Sequence, residues 1–291
     1  MTESENNVKV KKTSQKREIF RRFCHNPLAV TGMVIFGIFI ILSLLAPIIA
    51  PYDYAAMDGK AVFQAPSMAH LFGTDKFGRD LFSRMLWGGR YSIIMGIAAT
   101  VIGTFIGIVL GAIAGYFGQV ADNIVMRLCD IFQAIPGILL SMIISTVLGP
   151  GIGNTILALS IGGLAGNARM LRSLVLQIRG SEYISAASSI NCSNIRIIFK
   201  HILPNTFGPI LVGATMGVGG VIMQAASLSF IGLGVQPPTP EWGALLTEGR
   251  DYITLYPYLL IFPGLAIGLL SLSTCIMGDG LRDAMDPRLK K

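Results

Sequence analysis

Charged residues are scarce in this sequence. Only 13% of its 291 residues are Asp, Glu, Lys or Arg, against roughly 25% in soluble domains, and 52% are hydrophobic. With a mean hydropathy of +0.63, this composition argues against a soluble protein and indicates one that lies in lipid. The formal net charge of +7 does not indicate a nucleic-acid partner, because the charges lie between apolar runs, where basic residues set membrane topology.

The residue patterns of metal centres, disulfides and nucleotide-binding loops are also missing. The four cysteines form no CxxC motif and are expected to be free thiols, and the three histidines are too scattered for a metal site. No histidine falls in an apolar run, which argues against an intramembrane protease. The sequence has no GxxxxGKS/T loop to cradle ATP. We therefore expect no cofactor on this chain, and any ATP and Mg²⁺ would be bound by partner subunits.

Six apolar runs of membrane-spanning length are present. About 20 mostly apolar residues cross a bilayer as a helix, and such runs occupy 28–49, 92–117, 124–148, 152–170, 206–229 and 256–277. The first is longer than the roughly 7–15 apolar residues of a signal peptide, so we expect an uncleaved anchor. The sequence thus predicts an all-α polytopic membrane protein with six transmembrane helices. Its expected parts are a basic arm (1–27), an anchor (28–50), an extracytoplasmic loop (51–91), a five-helix core (92–278) and a tail (279–291).

The distribution of basic residues predicts the orientation of the chain. With the N-terminus inside, sixteen Lys and Arg residues fall on the cytoplasmic side, mainly in 1–27, 171–205 and 278–291, and six fall outside. Cytoplasmic loops of membrane proteins carry an excess of Lys and Arg. Both termini are therefore expected in the cytoplasm.

A glycine repeat marks the second apolar run. A spacing of four places its members on one helix face, where the missing Cβ atoms allow another backbone to approach closely. That neighbour is either a helix of the same chain or a second subunit. The repeat consists of Gly103, Gly107, Gly111 and Gly115.

Polar residues interrupt the third and fifth runs. Arg127 and Asp130 are three positions apart, so they share a helix face and can pair, either as a structural ion pair or as part of a pathway or gate. Gln133 follows them, and Pro136 is expected to kink the helix. Gln224 is a single amide in an apolar helix and is a further candidate for the pathway lining, or for a simple interhelical hydrogen bond.

The cytoplasmic segment 179–205 is the most informative part of the sequence. Ser181 and Glu182 predict the start of one helix, and Pro204 is expected to end a second one. An exposed apolar face calls for a partner, so this helix pair either docks another protein or lies on the membrane surface. Apolar residues at helical spacing in the second helix are Ile195, Ile198, Phe199 and Ile202.

This segment resembles the "EAA" loop of bacterial ABC importer permeases. The likeness rests on Ser185-Ala-Ala, Asn191 and His201-Ile-Leu-Pro204. Asn191 stands where the family usually has Gly, and Ser185 where it often has Glu. Because Asn tolerates a left-handed turn better than most residues, the same turn is expected here.

Other segments resemble a narrower group, the dipeptide, oligopeptide and nickel permeases. They are residues 73–84, 228–234, 237–243 and 278–288. The tail and the N-terminal anchor are similar to the C-type rather than the B-type subunit of that group. The resemblance runs from about Arg21 over nearly the whole chain.

The resemblance implies a type I ABC importer permease fold without catalytic residues. The implied partners are a B-type permease subunit, two ATP-binding subunits, an extracytoplasmic solute-binding protein and membrane lipid, in the cytoplasmic membrane of a bacterium or archaeon. The implied cargo is a di- or oligopeptide, with nickel or another metal chelate as the alternative; ion-gradient-driven secondary transport is a remote alternative. The loop residues expected to dock the ATPase are Glu182, Tyr183, Ser185, Ala186, Ala187, Asn191, Ile195, Phe199, His201 and Pro204.

Overall fold

The computed structural model describes residues 15–286. These residues form helices joined by turns and one folded loop, and within them the only β-type pairing is an isolated bridge between Thr74 and Asp80. The expected all-α class is therefore confirmed for this part of the chain. The first part of the basic arm and the end of the tail, with their lysines and arginines, lie outside the described residues.

Two helices and a short third one precede a large folded loop, residues 50–80. α1 (Gln15–His25) is separated from α2 (Pro27–Leu44) by Asn26, whose side chain accepts hydrogen bonds from the first backbone N–H groups of α2. The short α3 (Ala46–Ile49) follows. α2 occupies the place of the predicted anchor, and its exposed side chains are mostly apolar, as contact with lipid requires.

α4 (Leu81–Phe117) begins eleven residues before the expected second span. The carboxylate of Asp80 caps it by accepting a hydrogen bond from the backbone N–H of Ser83 at 2.7 Å. The apolar run begins later than the helix because the first turns of α4 contain Arg84 and Arg90. The preceding loop consequently ends at residue 80 rather than 91.

The third expected span is sharply bent. α5 (Gln119–Gln133) and α6 (Gly137–Leu148) meet at 85°, and the break between them contains Pro136, which has no N–H to donate and disfavours helix at the preceding residue. The predicted kink is confirmed. The pair is either one broken span or a re-entrant loop.

The second half of the described chain is dominated by three long helices. α7 (Ile152–Arg179) is followed by two short helices, α8 (Glu182–Ser189) and α9 (Asn194–Arg196), and by a π-helical segment (Ile197–Ile202). The long helix α10 (Leu203–Phe230) continues from it. α11 (Trp242–Gly249), a 3₁₀ turn (Arg250–Tyr252) and α12 (Tyr258–Met285) complete the fold.

Four helical stretches within residues 15–286 are long and apolar enough to cross a bilayer. They are α2, α4, the run from α9 through α10, and α12, and the bent pair adds a fifth if it is one span. α7 stands in the place of the fourth expected span but is not among them, because Asn154, Asn167, Arg169 and Arg172 lower its hydropathy. The number of six spans therefore stays a prediction.

α4 lies at the centre of the bundle and packs most extensively on α7, and also on α10, α5 and α2, while α12 packs on α10, α2 and α11. The glycine repeat forms the α4–α7 contact within the chain. A Cβ atom on Gly107 would lie 2.5 Å from Cβ of Asn167, and one on Gly111 would lie 2.5 Å from the carbonyl oxygen of Ala168. Gly103 and Gly115 likewise face Ser160 and Val175. Of the two neighbours expected for the glycine repeat, the structure shows a helix of the same chain.

Candidate functional site

The segment between α7 and α10 begins with a well-defined helix, α8. It starts after Ser181, as expected, and ends in a Schellman motif. The backbone N–H of Cys192 donates to the carbonyl of Ala187, and that of Asn191 donates to the carbonyl of Ser188. Asn191 has φ 57°, so the left-handed turn expected at this position is present.

Pro204 does not end the second helix, contrary to our expectation. It lies in the first turn of α10, and the chain stays helical from Asn194 to Phe230. Two features remove the usual conflict between proline and helix. The preceding turn is π-helical, so that the backbone N–H of Leu203 reaches back to the carbonyl of Ile198, and proline is tolerated in a first helical turn.

One face of α8 and of the π-helical segment is buried on the long helices. Its residues pack with Ala112 of α4, Leu171 and Val175 of α7 and Ile210 of α10 in one apolar cluster. The buried members from the loop are Ile184, Ala187, Ile197, Ile198 and Ile202. This cluster fixes the helix pair to the ends of three long helices.

The rest of the pair is exposed and carries four large apolar or aromatic side chains among polar ones. Ile190, Ile195 and Phe199 are 80%, 71% and 68% exposed, and Tyr183 is 47% exposed. We call these four residues the exposed loop surface. The expected single apolar face of the second helix is therefore divided, with Ile198 and Ile202 facing inward and Ile195 and Phe199 facing outward.

The residues assigned to docking fall into three groups. Ala187 is buried in the cluster and His201 is half-buried, whereas the others are exposed. Ala187 therefore contributes to seating the loop rather than to an accessible surface. The exposed members are Glu182, Tyr183, Ser185, Ala186, Asn191, Ile195, Phe199 and Pro204.

A hydrogen bond also connects this loop with α4. The phenolic O–H of Tyr116, at the end of α4, donates to the side-chain oxygen of Asn194 at 2.8 Å. α9 is therefore attached to α4 by a polar contact, in addition to the apolar cluster that holds α8 and the π-helical segment.

Two ion pairs join α5 to α7. Arg172 binds both oxygens of Asp122, at 2.5 and 2.6 Å, and Arg169 pairs with Asp130. The expected pair of Arg127 with Asp130 is only marginal, because their charged atoms are 4.0 Å apart and Arg127 is 86% exposed. The sequence rule compared positions along one helix and missed Arg169, which reaches Asp130 from the neighbouring helix.

The two glutamine candidates both lie on exposed surfaces. Gln133 ends α5 next to the bend, and Gln224 lies on α10. Within residues 15–286, Gln224 has no hydrogen-bond partner in another helix. The structure thus gives no support to an interhelical bond within this chain for Gln224.

At the other end of α4, the segment 73–84 forms a buried charge network whose role the sequence did not reveal. The carboxylate of Asp75 accepts hydrogen bonds from Arg79 and Arg84 at 2.6 and 2.7 Å. Glu248 of α11 accepts from the same two arginines at 2.9 and 2.5 Å. The side chains of Arg79 and Arg84 are 3% and 1% exposed. This network attaches the large loop and α11 to the start of α4.

α11 is buried against α10 and α12 and also contacts the start of α4. Glu241 caps it by accepting from the backbone N–H of Ala244, and its second oxygen accepts from the hydroxyl of Ser92 at 2.9 Å. The indole N–H of Trp242 donates to the carbonyl of Met85 at 2.9 Å, and this side chain is 2% exposed. The ring is thus buried with its N–H hydrogen-bonded, as a buried Trp requires.

Two family models match this chain. Residues 107–291 match the binding-protein-dependent transport system inner membrane component, and residues 14–66 match the N-terminal transmembrane domain of oligopeptide transport permease C. The chain is 43% identical over 274 residues to a dipeptide transport system permease protein of Alkalihalophilus pseudofirmus, covering 94% of this chain and 90% of the relative. It is 42% identical over 275 residues to a glutathione transport system permease protein of Pectobacterium atrosepticum, covering 94% and 91%.

Solved structures of the MetNI methionine ABC transporter in inward-facing conformations also resemble this chain. One crystal form has 20% identity and a TM-score of 0.57, covering 70% of this chain and 97% of that chain. A second has 21% identity and a TM-score of 0.53, covering 69% and 98%. At this level of identity the likeness shows a shared fold.

Proposed function

We propose a peptide cargo for this chain, which belongs to the family of binding-protein-dependent transport system inner membrane components. It is the permease subunit of an ABC importer, has the type I fold and is not itself an enzyme. The C-type likeness of its N-terminal part is confirmed by the match over residues 14–66. Such permeases work with a partner permease and with ATPase subunits in a membrane, so ATP and Mg²⁺ belong to those partners.

The exposed loop surface is the proposed docking site for an ATPase subunit. The observation that carries this proposal is that one helix pair buries an apolar face on the long helices and still leaves the exposed loop surface uncovered. Exposed apolar side chains favour a protein partner, and aromatic side chains such as Tyr183 and Phe199 are typical anchors of interfaces. The buried face makes the site rigid, so a moving partner would displace α4, α7 and α10 together. A rigid-body change of this kind suits a two-state transporter.

The orientation and the remaining partners follow from the same proposal. The loop that docks the ATPase lies in the cytoplasm, with both termini on that side, as the distribution of basic residues favours. The large loop before α4 and α11 then face outside, where a solute-binding protein would deliver cargo. Gln224, Gln133, Arg127 and Asp130 are proposed to face the pathway or the B-type subunit, since all four are exposed in this chain.

The proposed cargo rests on the relatives. Those described above carry the names of dipeptide and glutathione transport, and glutathione is itself a tripeptide. Both cover more than nine-tenths of this chain. The metal-chelate alternative is therefore not favoured.

The test is transport by the reconstituted importer. The chain is assembled with the B-type permease, ATPases and binding protein encoded beside it, and uptake of a labelled dipeptide, glutathione and a nickel chelate is compared. We expect peptide uptake that needs both ATP and binding protein. Uptake of only the nickel chelate would overturn the peptide cargo, and gradient-driven uptake by the chain without ATPases would overturn ATP coupling.

A further inference from the structure

α1 has three distinct faces that the transport function leaves unexplained. Ile19 and Phe23 pack against Met277, Leu281 and Ala284 of α12, and Phe23 is only 7% exposed. Because successive residues are about 100° apart around a helix, Arg17 and Arg21 lie on the side away from this contact. Phe20 and Cys24 lie between the packed and the basic side, and Phe20 is 65% exposed.

α1 lies directly before α2, a helix with an exposed apolar surface. α1 ends at His25, and α2 begins two residues later with an exposed apolar side that starts at Leu28, which is 66% exposed. The extended backbone of Asn26 interrupts the helix between them. α1 therefore lies at the level where the apolar span ends, and the exposed ring of Phe20 is close in sequence to the lipid-facing side of α2.

The charges of α1 are not neutralised by the rest of the described chain. Arg22 pairs with Glu18 at 2.5 Å, but Arg17 and Arg21 have no ion-pair partner within residues 15–286. α1 packs on α12, whose last turns carry Asp279 and Asp283. None of the ion pairs within residues 15–286 joins them to α1.

We propose that α1 is an interfacial helix that binds the headgroups of anionic phospholipids through Arg17 and Arg21. Phe20 and Cys24 enter the boundary between headgroups and acyl chains, while Ile19 and Phe23 fix the helix to α12. A helix with an apolar flank beside a basic flank lies in the membrane plane in this way. Two arginines near an anionic surface correspond to roughly a 30-fold preference for anionic over neutral lipid.

The native thiol of Cys24 allows a direct test. In the full chain with the three other cysteines replaced by alanine, a nitroxide is attached to Cys24, and its collisions with oxygen and with a water-soluble nickel chelate are measured. Nanodiscs contain phosphatidylcholine alone or with phosphatidylglycerol. We expect the ratio of oxygen to nickel collisions to rise severalfold with phosphatidylglycerol, because the label moves toward the acyl chains.

Two double variants complete this test. Arg17→Gln with Arg21→Gln should abolish the response to phosphatidylglycerol. Lys60→Gln with Arg250→Gln removes the same charge from another exposed part of the chain and should keep it. A label that stays accessible to nickel in both lipids, or a response retained after loss of Arg17 and Arg21, overturns the proposal.

Native mass spectrometry provides a second measurement that does not depend on cysteine replacement, because the chain keeps its own cysteines. The variant without Arg17 and Arg21 should retain fewer phosphatidylglycerol molecules than the variant without Lys60 and Arg250. Equal retention by the two variants would contradict the proposal.

Discussion

Arg84 and Glu248 form a buried ion pair, with Nη1 of the arginine 2.5 Å from Oε2 of the glutamate, although 164 positions separate them in the sequence. Asp75 accepts a second hydrogen bond from the same nitrogen. Since Asp75 belongs to the large loop and Glu248 to α11, the start of α4 cannot move without both. In the proposed orientation, this connection makes the outer surface and the central helix one mechanical unit.

Removal of Glu248 should therefore destabilise the protein strongly. In Glu248→Ala, Arg79 and Arg84 keep their buried charges but share only Asp75, and breaking a buried pair from one side costs about 3–5 kcal/mol. Thermal unfolding of the purified chain should show a clearly lower midpoint. Asp251→Ala is the control, because its carboxylate is 74% exposed and such surface pairs contribute about 0–1 kcal/mol. Equal midpoints for the two variants would contradict a stabilising role of the network.

Phe199 should be a major contact for the ATPase subunit. Phe199→Ser removes a ring that is 68% exposed, so folding should be unaffected while affinity for the ATPase falls about 30-fold, as at a typical interface hot spot. Binding of the purified ATPase to the reconstituted permease measures this directly. Leu255→Ser, at a residue 74% exposed on a different loop, should bind normally. Unchanged affinity in Phe199→Ser would rule out the proposed docking surface.

The contact between α4 and α7 should not tolerate a single added methyl group. In Gly111→Ala the new Cβ would lie 2.5 Å from the carbonyl oxygen of Ala168, so the helices must separate, at a cost of about 1–3 kcal/mol. Gly268→Ala in α12 has nothing within 4 Å and should be neutral or gain up to about 1 kcal/mol from helix propensity. Unfolding in detergent compares both variants with the natural chain. A Gly111→Ala protein as stable as Gly268→Ala would refute the close approach.

Asn191 should be replaceable by glycine but not by a β-branched residue. Its φ of 57° is accessible to Gly and Asn, whereas an ordinary side chain pays about 1–2 kcal/mol there. Asn191→Gly should keep ATP-driven uptake and stability, and Asn191→Val should lower both, because α8 would lose its terminating turn. Uptake assays and unfolding midpoints test this, and indistinguishable variants would show that the turn does not hold the loop in place.

Structural features that depend on a few neighbouring residues were predicted correctly from the sequence. The bend at Pro136, the start of α8 at Ser181 and the left-handed turn at Asn191 each depend on the backbone of a few neighbouring residues. Within the segment 179–205, the helix end expected at Pro204 was wrong, and Ala187 is buried rather than accessible. Periodicity identified the apolar positions but could not divide them between a face that packs on the chain and a face that remains free.

Hydropathy alone was a poorer guide to helix ends and to spans. It placed the start of α4 too late because Arg84 is charged, and it leaves α7 as a predicted span only, because polar residues interrupt that helix. In both cases a carboxylate distant in sequence pairs with the charge, Glu248 with Arg84 and Asp122 with Arg172. A window along the chain contains no information about such partners.

Composition, apolar runs and local motifs were sufficient for the membrane class and the family resemblance, since these depend on solvent and on short-range backbone preferences. The partners of Asp130, the buried network around Arg84 and the separation of Phe199 from Ile202 came from packing. They required the folded chain because each depends on which side chains are brought within a few ångströms by helices that are distant in sequence.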